Sequence, residues 1–510
     1  MEVAKASSMH AGVHAMRDPS NGELQAVILA GGGGSRMQPL VAEQAKAMLD
    51  VGNRPLLFFQ LLMVERSGLG SALVVTSKQA LNVVSQYVNE LYPLDWCVQQ
   101  LRRDARSKSG MHAHREFVVE IVAVPDGSGT ADALRDIADR ITMDFVVISS
   151  DLVCDVELSP LISRHRVSNA CLTMLLKQAS GSGAEEKEKE ISSVDYFGLD
   201  EGIPNTRALF MQAAADIEND SIQVSRSVIR SASNFVLHRD LIDAHVYVFS
   251  LWALSLLCRK KSHSSIKNEF VPFLIEKQHV LGKLLERSDE EQEANSLSAT
   301  DLFLFAKRIS NADRMMWGQH RNKQGGASAS DRAFCGAFLL PPTAYLSRVN
   351  TIEMYLKANI DVAQGRLVSV LGQESTAQFD LEPASATSGN SSVAGSCPTP
   401  MDLKKRPRLG QDCIVGVDLS LGEKSSIKKS VLGDHCSIGS GVKMENCVVM
   451  DHVQIGDRSR LQNSVICGNS IIEAGCALKD CQVGYRTVVQ EGREAKGERI
   501  TDDDGDDIFF

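Results

Sequence analysis

The stretch LAGGGGSRMQPL, residues 29–40, places four consecutive glycines directly after a run of apolar residues. That run, LQAVILA at residues 24–30, is continuous and ends in glycine, which is the pattern of a buried strand in a parallel sheet. Glycines at such a strand end let the backbone turn sharply and bring its amides close to an anion. Arg36 adds a guanidinium that suits bidentate contact with a phosphate. The stretch therefore predicts a phosphate-binding loop.

The loop matches neither of two common nucleotide-binding motifs. No Gly-Lys-Ser/Thr follows it, as a Walker loop requires, and its spacing is not that of the GxGxxG turn. A glycine-rich loop alone is weak evidence, so its flanking residues decide the interpretation. Lys46 follows ten residues after Arg36 and is a second cation that can reach the same phosphates.

Apolar runs alternate with helical patterns from residue 24 to about residue 160. This alternation predicts a parallel α/β sheet with right-handed crossovers. Further strands are predicted at 71–77, 117–124 and 144–151, and helices at 54–68 and 130–141. Polar insertions that are predicted to be surface loops lie at 99–116, 180–190 and 288–330.

Length and composition restrict the class of protein. The 510 residues predict two to four domains, and 43% hydrophobic with 23% charged residues is ordinary for a soluble globular chain. The net charge of −10 and the lack of a long basic run argue against direct nucleic-acid binding. No apolar stretch reaches the roughly 18 residues of a membrane span, and the N-terminus lacks the apolar segment of a secretory signal. Twelve scattered cysteines without a CxxC pair predict reduced thiols and a cytosolic protein.

A second module follows a linker rich in Ser, Ala, Gly, Thr and Pro. Aliphatic residues recur there about every six positions, for example Leu432 and Ile438, then Ile455 and Leu461. Hexads with small or polar residues between them predict a parallel β-helix of three short faces per coil, against an irregular β-sandwich as the alternative. At about 18 residues per coil, roughly four coils are expected. The five late cysteines are interpreted as small core residues rather than metal ligands: Cys436, Cys447, Cys467, Cys476 and Cys481.

The expected organisation has five parts. They are a disordered N-terminal lead at 1–22, an α/β domain at 23–371, a low-complexity linker at 372–410, a β-helix at 411–490 and an acidic tail at 491–510. The linker ends in a basic patch, KKRPRLG at 404–410, for which a solvated linker, a contact patch and a nuclear signal stay open. The tail, which ends in TDDDGDDIFF, is interpreted as a solvated segment, with a docking peptide as the alternative.

The residues around the loop resemble the motifs of nucleotide-diphospho-sugar pyrophosphorylases, in which G-x-G-T-R-L-x-P-L precedes P-K. The residues that fall on this motif are Gly32, Gly34, Ser35, Arg36, Pro39, Leu40 and Lys46. The residues expected to bind phosphate or nucleotide are Gly31, Gly32, Gly34, Ser35, Arg36 and Lys46. GSGTADAL at 127–134 resembles the family's G-T-A-x-A-L segment, and Asp151 falls where the family holds a magnesium carboxylate. The resemblance implies a Rossmann-like nucleotidyltransferase domain with a C-terminal left-handed parallel β-helix. It also implies that the loop, Arg36 and Lys46 neutralise a nucleotide triphosphate with magnesium.

Several positions depart from the active family pattern. The motif threonine is Ser35, the proline of P-K is Ala45, and Ser150 replaces the glycine before the metal carboxylate. No sugar-phosphate lysine can be placed between residues 195 and 238, and no second magnesium aspartate is evident. Where active members read N-x-G-I-Y in the sugar pocket, this chain has Asp243 and His245, and a histidine fills space that a hexose needs. The departures indicate lost or altered sugar chemistry.

The chain also resembles the gamma subunits of eukaryotic translation initiation factor 2B. The resemblance lies in three segments, at 243–254, 264–278 and 347–362, the first of which contains the departures at Asp243 and His245. The epsilon subunits of that exchange complex add a helical exchange domain, and only about twenty residues follow the last expected coil here. The resemblance therefore implies a cytosolic, non-catalytic subunit that pairs with epsilon and the other subunits and supports GDP/GTP exchange on translation initiation factor 2. It implies no required cofactor, with a bound nucleotide or magnesium left open. The alternatives are an active pyrophosphorylase of the GDP-mannose type and a sugar-nucleotide sensor.

Overall fold

The computed structural model of the chain describes residues 24–108, 117–179, 195–201, 206–213, 222–284, 334–371, 408–410 and 412–501. The expected N-terminal lead, the insertions at 109–116, 180–190 and 288–330, the linker at 372–407 and the tail at 502–510 lie outside these residues. Among the described residues, no helix is both long and apolar enough to cross a bilayer.

Within the described residues, the first domain contains twelve strands and ten α-helices. The strands are β1 (Gln25–Leu29), β2 (Ser71–Ser77), β3 (Val118–Val124), β4 (Phe145–Ser149), β5 (Leu152–Cys154), β6 (Leu172–Gln178), β7 (Tyr196–Asp200), β8 (Arg207–Gln212), β9 (Phe235–His238), β10 (Leu241–Phe249), β11 (Cys335–Leu339) and β12 (Leu346–Arg348). The helices are α1 (Leu56–Arg66), α2 (Leu81–Gln86), α3 (Trp96–Lys108), α4 (Thr130–Asp136), α5 (Ser159–Ser168), α6 (Arg226–Ser231), α7 (Leu251–Arg259), α8 (Val271–Leu284), α9 (Ile352–Ala363) and α10 (Val368–Leu371).

Ten of these strands form one mixed sheet in the order β3-β2-β1-β4-β10-β6-β11-β8-β7-β9. β1 to β4 are parallel, as the sequence predicts, but β10 runs antiparallel to both β4 and β6. The parallel sheet predicted for residues 24–160 is therefore confirmed for β1 to β4, and the later strand β10 makes the complete sheet mixed. The direction of β10 is set by a long-range pairing such as Val248 with Val146, which local alternation of strands and helices does not encode.

The sheet is buried on both faces. Along β1, Ala26 and Ile28 point into one core, whereas Val27 between them points into the other. The first core contains α1, α5 and α9, and the second contains α4, α7 and α8. A strand buried on both faces must be apolar at every position, which explains the continuous run in the sequence.

One predicted loop is instead a helix. The insertion expected at 99–116 begins within α3, whose buried Cys97 and Val98 pack against the first core while its polar side faces outward. The polar residues of this segment form the outer face of an amphipathic helix rather than an irregular loop.

The second module is a parallel β-helix with three sheets. The first sheet holds β13 (Arg408–Leu409), β16 (Ser426–Lys428), β19 (Lys443–Glu445), β22 (Arg460–Gln462), β25 (Ala477–Lys479) and β28 (Glu494–Lys496). The second holds β14 (Ile414–Val415), β17 (Val431–Leu432), β20 (Val448–Val449), β23 (Val465–Ile466), β26 (Gln482–Val483) and β29 (Arg499–Ile500). The third holds β15 (Ser420–Leu421), β18 (Ser437–Ile438), β21 (Gln454–Ile455), β24 (Ile471–Ile472) and β27 (Val488–Val489).

The coils are 17 residues long, not the expected 18, because stacked partners such as Ile414 and Val431 lie 17 residues apart. Two corners of each coil keep the six-residue spacing, and the third, after each strand of the first sheet, is one residue shorter. Left-handed backbone recurs at that short corner, at Lys429, Asn446, Asn463, Asp480 and Gly497. The β-helix also extends beyond 411–490, from Arg408 to Ile500, since its terminal strands have few aliphatic residues to reveal the repeat.

The β-helix packs directly on the first domain. Outward-facing Val431, Val448 and Val465 of the second sheet belong to the same core as α1 and α9. Asn53 Nδ2 donates to Leu432 O at 2.8 Å, and Tyr485 Oη donates to Leu40 O at 3.1 Å. The two modules are therefore joined by a shared core and hydrogen bonds, not only by the linker.

Replacing Ile455 tests the inward orientation of the hexad aliphatics. Ile455 is 3% exposed within the prism, whereas its strand neighbour Gln454 is exposed. Ile455→Asp should lower the free energy of unfolding by several kcal/mol, because the prism offers the new carboxylate neither water nor a cation. Gln454→Asp, the matched control, should change it by no more than about 0.5 kcal/mol. Urea unfolding followed by circular dichroism measures both; equal effects of the two variants would contradict the assigned orientation.

The joint between the modules should respond to pH through Asp50. Burial, together with the carboxylates of Asp451 and Asp434 on the β-helix, raises the pKa of Asp50 to about 7. Tyr355, Tyr485 and Tyr87 also face it, and Tyr355 Oη donates to the Asp50 carbonyl at 2.7 Å. A folded-state pKa above the unfolded one favours folding at acid pH, and this contribution disappears as pH rises through about 7.

Asp50→Asn removes this titration. The wild type should lose about 2.5 kcal/mol relative to Asp50→Asn between pH 5 and pH 8, because the unfolded chain has already ionised at pH 5 while folded Asp50 ionises only near pH 7. Unfolding of both proteins across that range measures the difference, and exposed Asp139→Asn is the control. Parallel pH profiles for wild type and Asp50→Asn would show that Asp50 keeps an ordinary pKa.

Candidate functional site

The glycine-rich loop opens onto a large cavity at the carboxyl end of β1. Gly34 has a φ of 62°, in the left-handed region that glycine tolerates, and it leads into a short helical turn at Ser35–Met37. Arg36 is exposed on this turn, and Lys46 begins a second short turn at Lys46–Met48. Both side chains line a cavity of about 820 Å³.

The structure brings most of the sequence-predicted residues together. The cavity is lined by Gly34, Ser35, Arg36, Lys46, Asp151, Asp243 and His245, whereas Gly31 and Gly32 form the start of the loop outside its lining. Their assignment as a phosphate site stays a prediction.

Asp151 lies just after β4 and is held by two cations. Its Oδ2 accepts from Lys46 Nζ at 3.1 Å and from Arg348 Nη2 at 2.9 Å. The residue is 5% exposed. Burial by itself would raise the pKa of this carboxyl, but Arg348 and Lys46 outweigh it and hold the pKa well below the usual range. Asp151 is therefore ionised and paired within the protein.

Arg348 is a site residue that the sequence did not reveal. β12 pairs antiparallel with β5, which places Arg348 opposite Leu152, and Val349 N donates to Asp151 O at 2.7 Å. The main chain thus fixes the guanidinium beside a carboxylate that is 197 residues away in sequence. A local sequence motif cannot predict this pairing, because the two residues are far apart in the chain.

His245 occupies a bulge in β10. The pairing of β10 with β6 shifts register between Asp243 and Tyr247, and His245 has a φ of 53°. This is the position of the glycine in the family motif, and histidine has retained a backbone conformation that glycine adopts more easily. Arg348 Nη1 donates to His245 Nε2 at 2.8 Å. Burial and the neighbouring Arg348 lower the pKa of His245 well below its usual value, so the ring is neutral and accepts at Nε2.

Asp243 lies at the start of the same bulge in β10, and two residues of the bulge region hold its side chain in place. Its carboxylate accepts from His245 N at 2.8 Å and from Tyr247 Oη at 2.5 Å. Burial raises the pKa of Asp243, and the hydrogen bond from Tyr247 and the charges of Lys267 and Arg348 oppose this rise. Asp243 thus faces the same guanidinium as Asp151.

Lysines from unexpected segments also line the cavity. The interval 195–238 has no candidate for a sugar-phosphate lysine, but Lys177 of β6 and Lys267 before α8 both contribute to the lining. Lys177 Nζ donates to Leu346 O at 3.2 Å, and Lys267 Nζ pairs with Asp195 Oδ2 at 2.7 Å. The lining includes six cationic side chains, Arg36, Lys46, Lys177, Lys267, Arg348 and Lys357, and four acidic ones, Asp151, Asp195, Asp243 and Glu353.

The magnesium site implied by the family resemblance does not fit these residues. Both side chains nearest to Asp151 Oδ2 are cations, and a metal ion requires oxygen ligands there instead. Within the described residues, no group of three or more His, Cys, Asp or Glu side chains is arranged to hold a metal.

The fold and the cavity define a nucleotidyltransferase-type domain joined to a β-helix, and family models agree. Residues 25–184 match the family model for nucleotidyl transferases, and residues 398–494 match the model described as "EIF2B subunit epsilon LbH domain". The two matches fall on the α/β domain and on the β-helix, respectively.

Whole-chain similarity narrows this class. The chain is 27% identical to the Dictyostelium discoideum translation initiation factor eIF2B subunit gamma over 441 residues, 82% of this chain and 88% of that protein. It is 27% identical to the eIF2B subunit gamma of Schizosaccharomyces pombe over 490 residues, 94% of this chain and 90% of that protein. Similarity to the S. pombe eIF2B subunit epsilon is 22% over 255 residues, 49% of this chain and 34% of that protein. The chain is a homologue of the gamma subunit of translation initiation factor eIF2B.

Neutralising Asp151 should reveal how strongly the cavity depends on its ion pairs. Asp151→Asn leaves Lys46 and Arg348 facing each other without a counter-charge and should lower the free energy of unfolding by about 3–5 kcal/mol. Glu157→Gln is a matched control, since Glu157 is 58% exposed and lies 3.8 Å from Arg66 in a surface ion pair. That change should stay within about 1 kcal/mol. Urea unfolding compares the two, and a similar small loss for both would show that the Asp151 pairs contribute little.

Proposed function

We propose that this chain is the gamma subunit of an eIF2B guanine-nucleotide exchange complex and supports GDP/GTP exchange on translation initiation factor eIF2. The observation that carries this proposal is the similarity to two gamma subunits over more than four fifths of the chain, with both modules included. We place its action in the cytoplasm, in partnership with an epsilon-type subunit that performs the exchange.

We propose further that nucleotidyltransferase activity is lost. The ion pairs of Asp151 with Lys46 and Arg348 support this, because a carboxylate neutralised by protein cations is not free to position a metal–triphosphate. His245, held at 2.8 Å from Arg348, narrows the position that a glycine leaves open in the family's sugar pocket. The domain then serves as a scaffold.

The β-helix offers a surface for the partner subunit. Its second sheet is covered by the first domain, which leaves the first and third sheets available. On the third sheet, Ile471 and Val488 are stacked neighbours that are 39% and 48% exposed. Next to them in the same column stand the uncharged Gln454, Ser437 and Ser420. We propose that this flat, uncharged column contacts the epsilon-type subunit, since interface cores are depleted of charge.

Reconstitution tests the exchange function. eIF2 loaded with fluorescent GDP is mixed with an epsilon-type subunit, with this chain, or with both. The chain alone should release GDP at the spontaneous rate, and the pair should release it faster than the epsilon-type subunit alone. Acceleration by the chain alone would overturn the non-catalytic assignment, and no gain from the pair would overturn the subunit assignment.

The same assay locates the contact. Ile471→Arg with Val488→Arg should abolish the gain and the co-purification of the two subunits, because a charge is placed in an uncharged contact. Gln462→Arg, an exposed position on the first sheet, is the matched control and should retain both. If only Gln462→Arg abolishes the gain in GDP release and the co-purification, the first sheet rather than the third contacts the epsilon-type subunit.

The alternative function, a GDP-mannose-type pyrophosphorylase, is tested separately. The purified chain is incubated with magnesium, GTP and mannose 1-phosphate, and pyrophosphate is measured. No release is expected. Release that disappears in Arg36→Ala would establish the enzyme instead.

A further inference from the structure

Around Asp151, protein cations occupy the positions that a metal ion would take next to a carboxylate. Two carboxylates, Asp151 and Asp243, face one guanidinium, and Arg348 donates directly to Asp151 at 2.9 Å. Lys46 adds a second cation at 3.1 Å from the same oxygen. In the pyrophosphorylase pattern, the position of Asp151 is the one assigned to a metal carboxylate.

Arg348 is held in this position from three directions. The pairing of β12 with β5 fixes its main chain, Asp151 binds one terminal nitrogen, and neutral His245 accepts from the other at 2.8 Å. His245 keeps its left-handed backbone at a bulge, so its ring is also placed by the main chain. A side chain fixed in this way is part of the fold rather than a mobile surface arginine.

The remaining polar atoms do not supply a coordination shell. Asp151 Oδ1 and Arg348 Nε are buried and have no protein partner within the described residues. Asp151 Oδ1 is therefore the atom through which an ion would have to bind, since Mg²⁺ usually binds through one or two carboxylates together with several waters. An ion bound to that oxygen would also lie next to the two cations on Oδ2, whose charge repels it.

We propose that Arg348 is a resident cation that has taken the place of a divalent metal, so that the cavity excludes divalent ions. The proposal rests on the cavity alone and does not depend on the role of the chain in an exchange complex. It assigns a specific function to a residue that lies outside the glycine-rich loop and outside the segment that joins β4 to Asp151.

Manganese binding to the full chain tests this proposal, with free Mn²⁺ measured by electron paramagnetic resonance. The wild type and Asp151→Asn should bind Mn²⁺ equally, because Asp151 is not a ligand. Arg348→Met should bind one additional Mn²⁺ per chain at least tenfold more tightly than any site of the wild type. Adding Asp151→Asn to Arg348→Met should remove that ion.

Two controls keep the result decisive. Arg348→Lys retains the charge and should bind no additional ion, and circular dichroism with urea unfolding shows whether each variant is folded. If Arg348→Met does not fold, Lys46→Met removes one of the same two cations and should increase Mn²⁺ affinity in an Asp151-dependent way. A Mn²⁺ site in the wild type that Asp151→Asn abolishes would overturn the proposal. Folded Arg348→Met and Lys46→Met that bind no more Mn²⁺ than the wild type would overturn it as well.

Discussion

The need to bury both faces of the ten-stranded sheet organises this molecule. Strand β1 is apolar from Ala26 to Leu29 because Ala26 and Ile28 face one core and Val27 faces the other. Helices cover both faces, and on the first face the β-helix completes the cover by adding Val431, Val448 and Val465 to the core. The second module is thus continuous with the hydrophobic core of the first. Because a close-packed core deforms little, it holds the strands β1 and β4, and the residues of the cavity at their ends, in fixed positions.

Within the cavity, charge neutralisation replaces the arrangement that metal-dependent chemistry requires. Asp151 sits at the end of a parallel strand, where ligands bind in open α/β sheets. Instead of an open carboxylate, the structure has a cluster in which Lys46 and Arg348 donate to Asp151 Oδ2 and His245 accepts from Arg348. Such a cluster is stable only when its members remain together, because removing one partner leaves a buried charge uncompensated. The dependence of each charge on its partners supports a structural role for this site, although its sequence resembles the active site of an enzyme family.

Much of the fold could be predicted from the sequence. The strand at 71–77 was placed to the residue, and the hexads identified a three-sided parallel β-helix. These predictions succeeded because they rest on local periodicity, which is a direct record of which side chains face a core. The coil length of 17 was missed because the one-residue slip falls at a corner, where Asn446 and Asn463 take left-handed backbone without changing the aliphatic pattern. The helix α3 was missed because its polar face dominates its composition.

The candidate site shows the same division. The sequence by itself determined the β-helix through its six-residue spacing. It also supplied the candidate site residues Arg36, Lys46, Asp151, Asp243 and His245 and the glycine-rich loop, because each falls on a short motif. Only the tertiary structure decided that β10 runs antiparallel, that the β-helix shares the core of the first domain, and that Arg348 pairs with Asp151 and donates to His245. The physical reason is that motifs and periods act within one element, whereas strand direction, shared cores and ion pairs arise between residues that are one hundred or more positions apart.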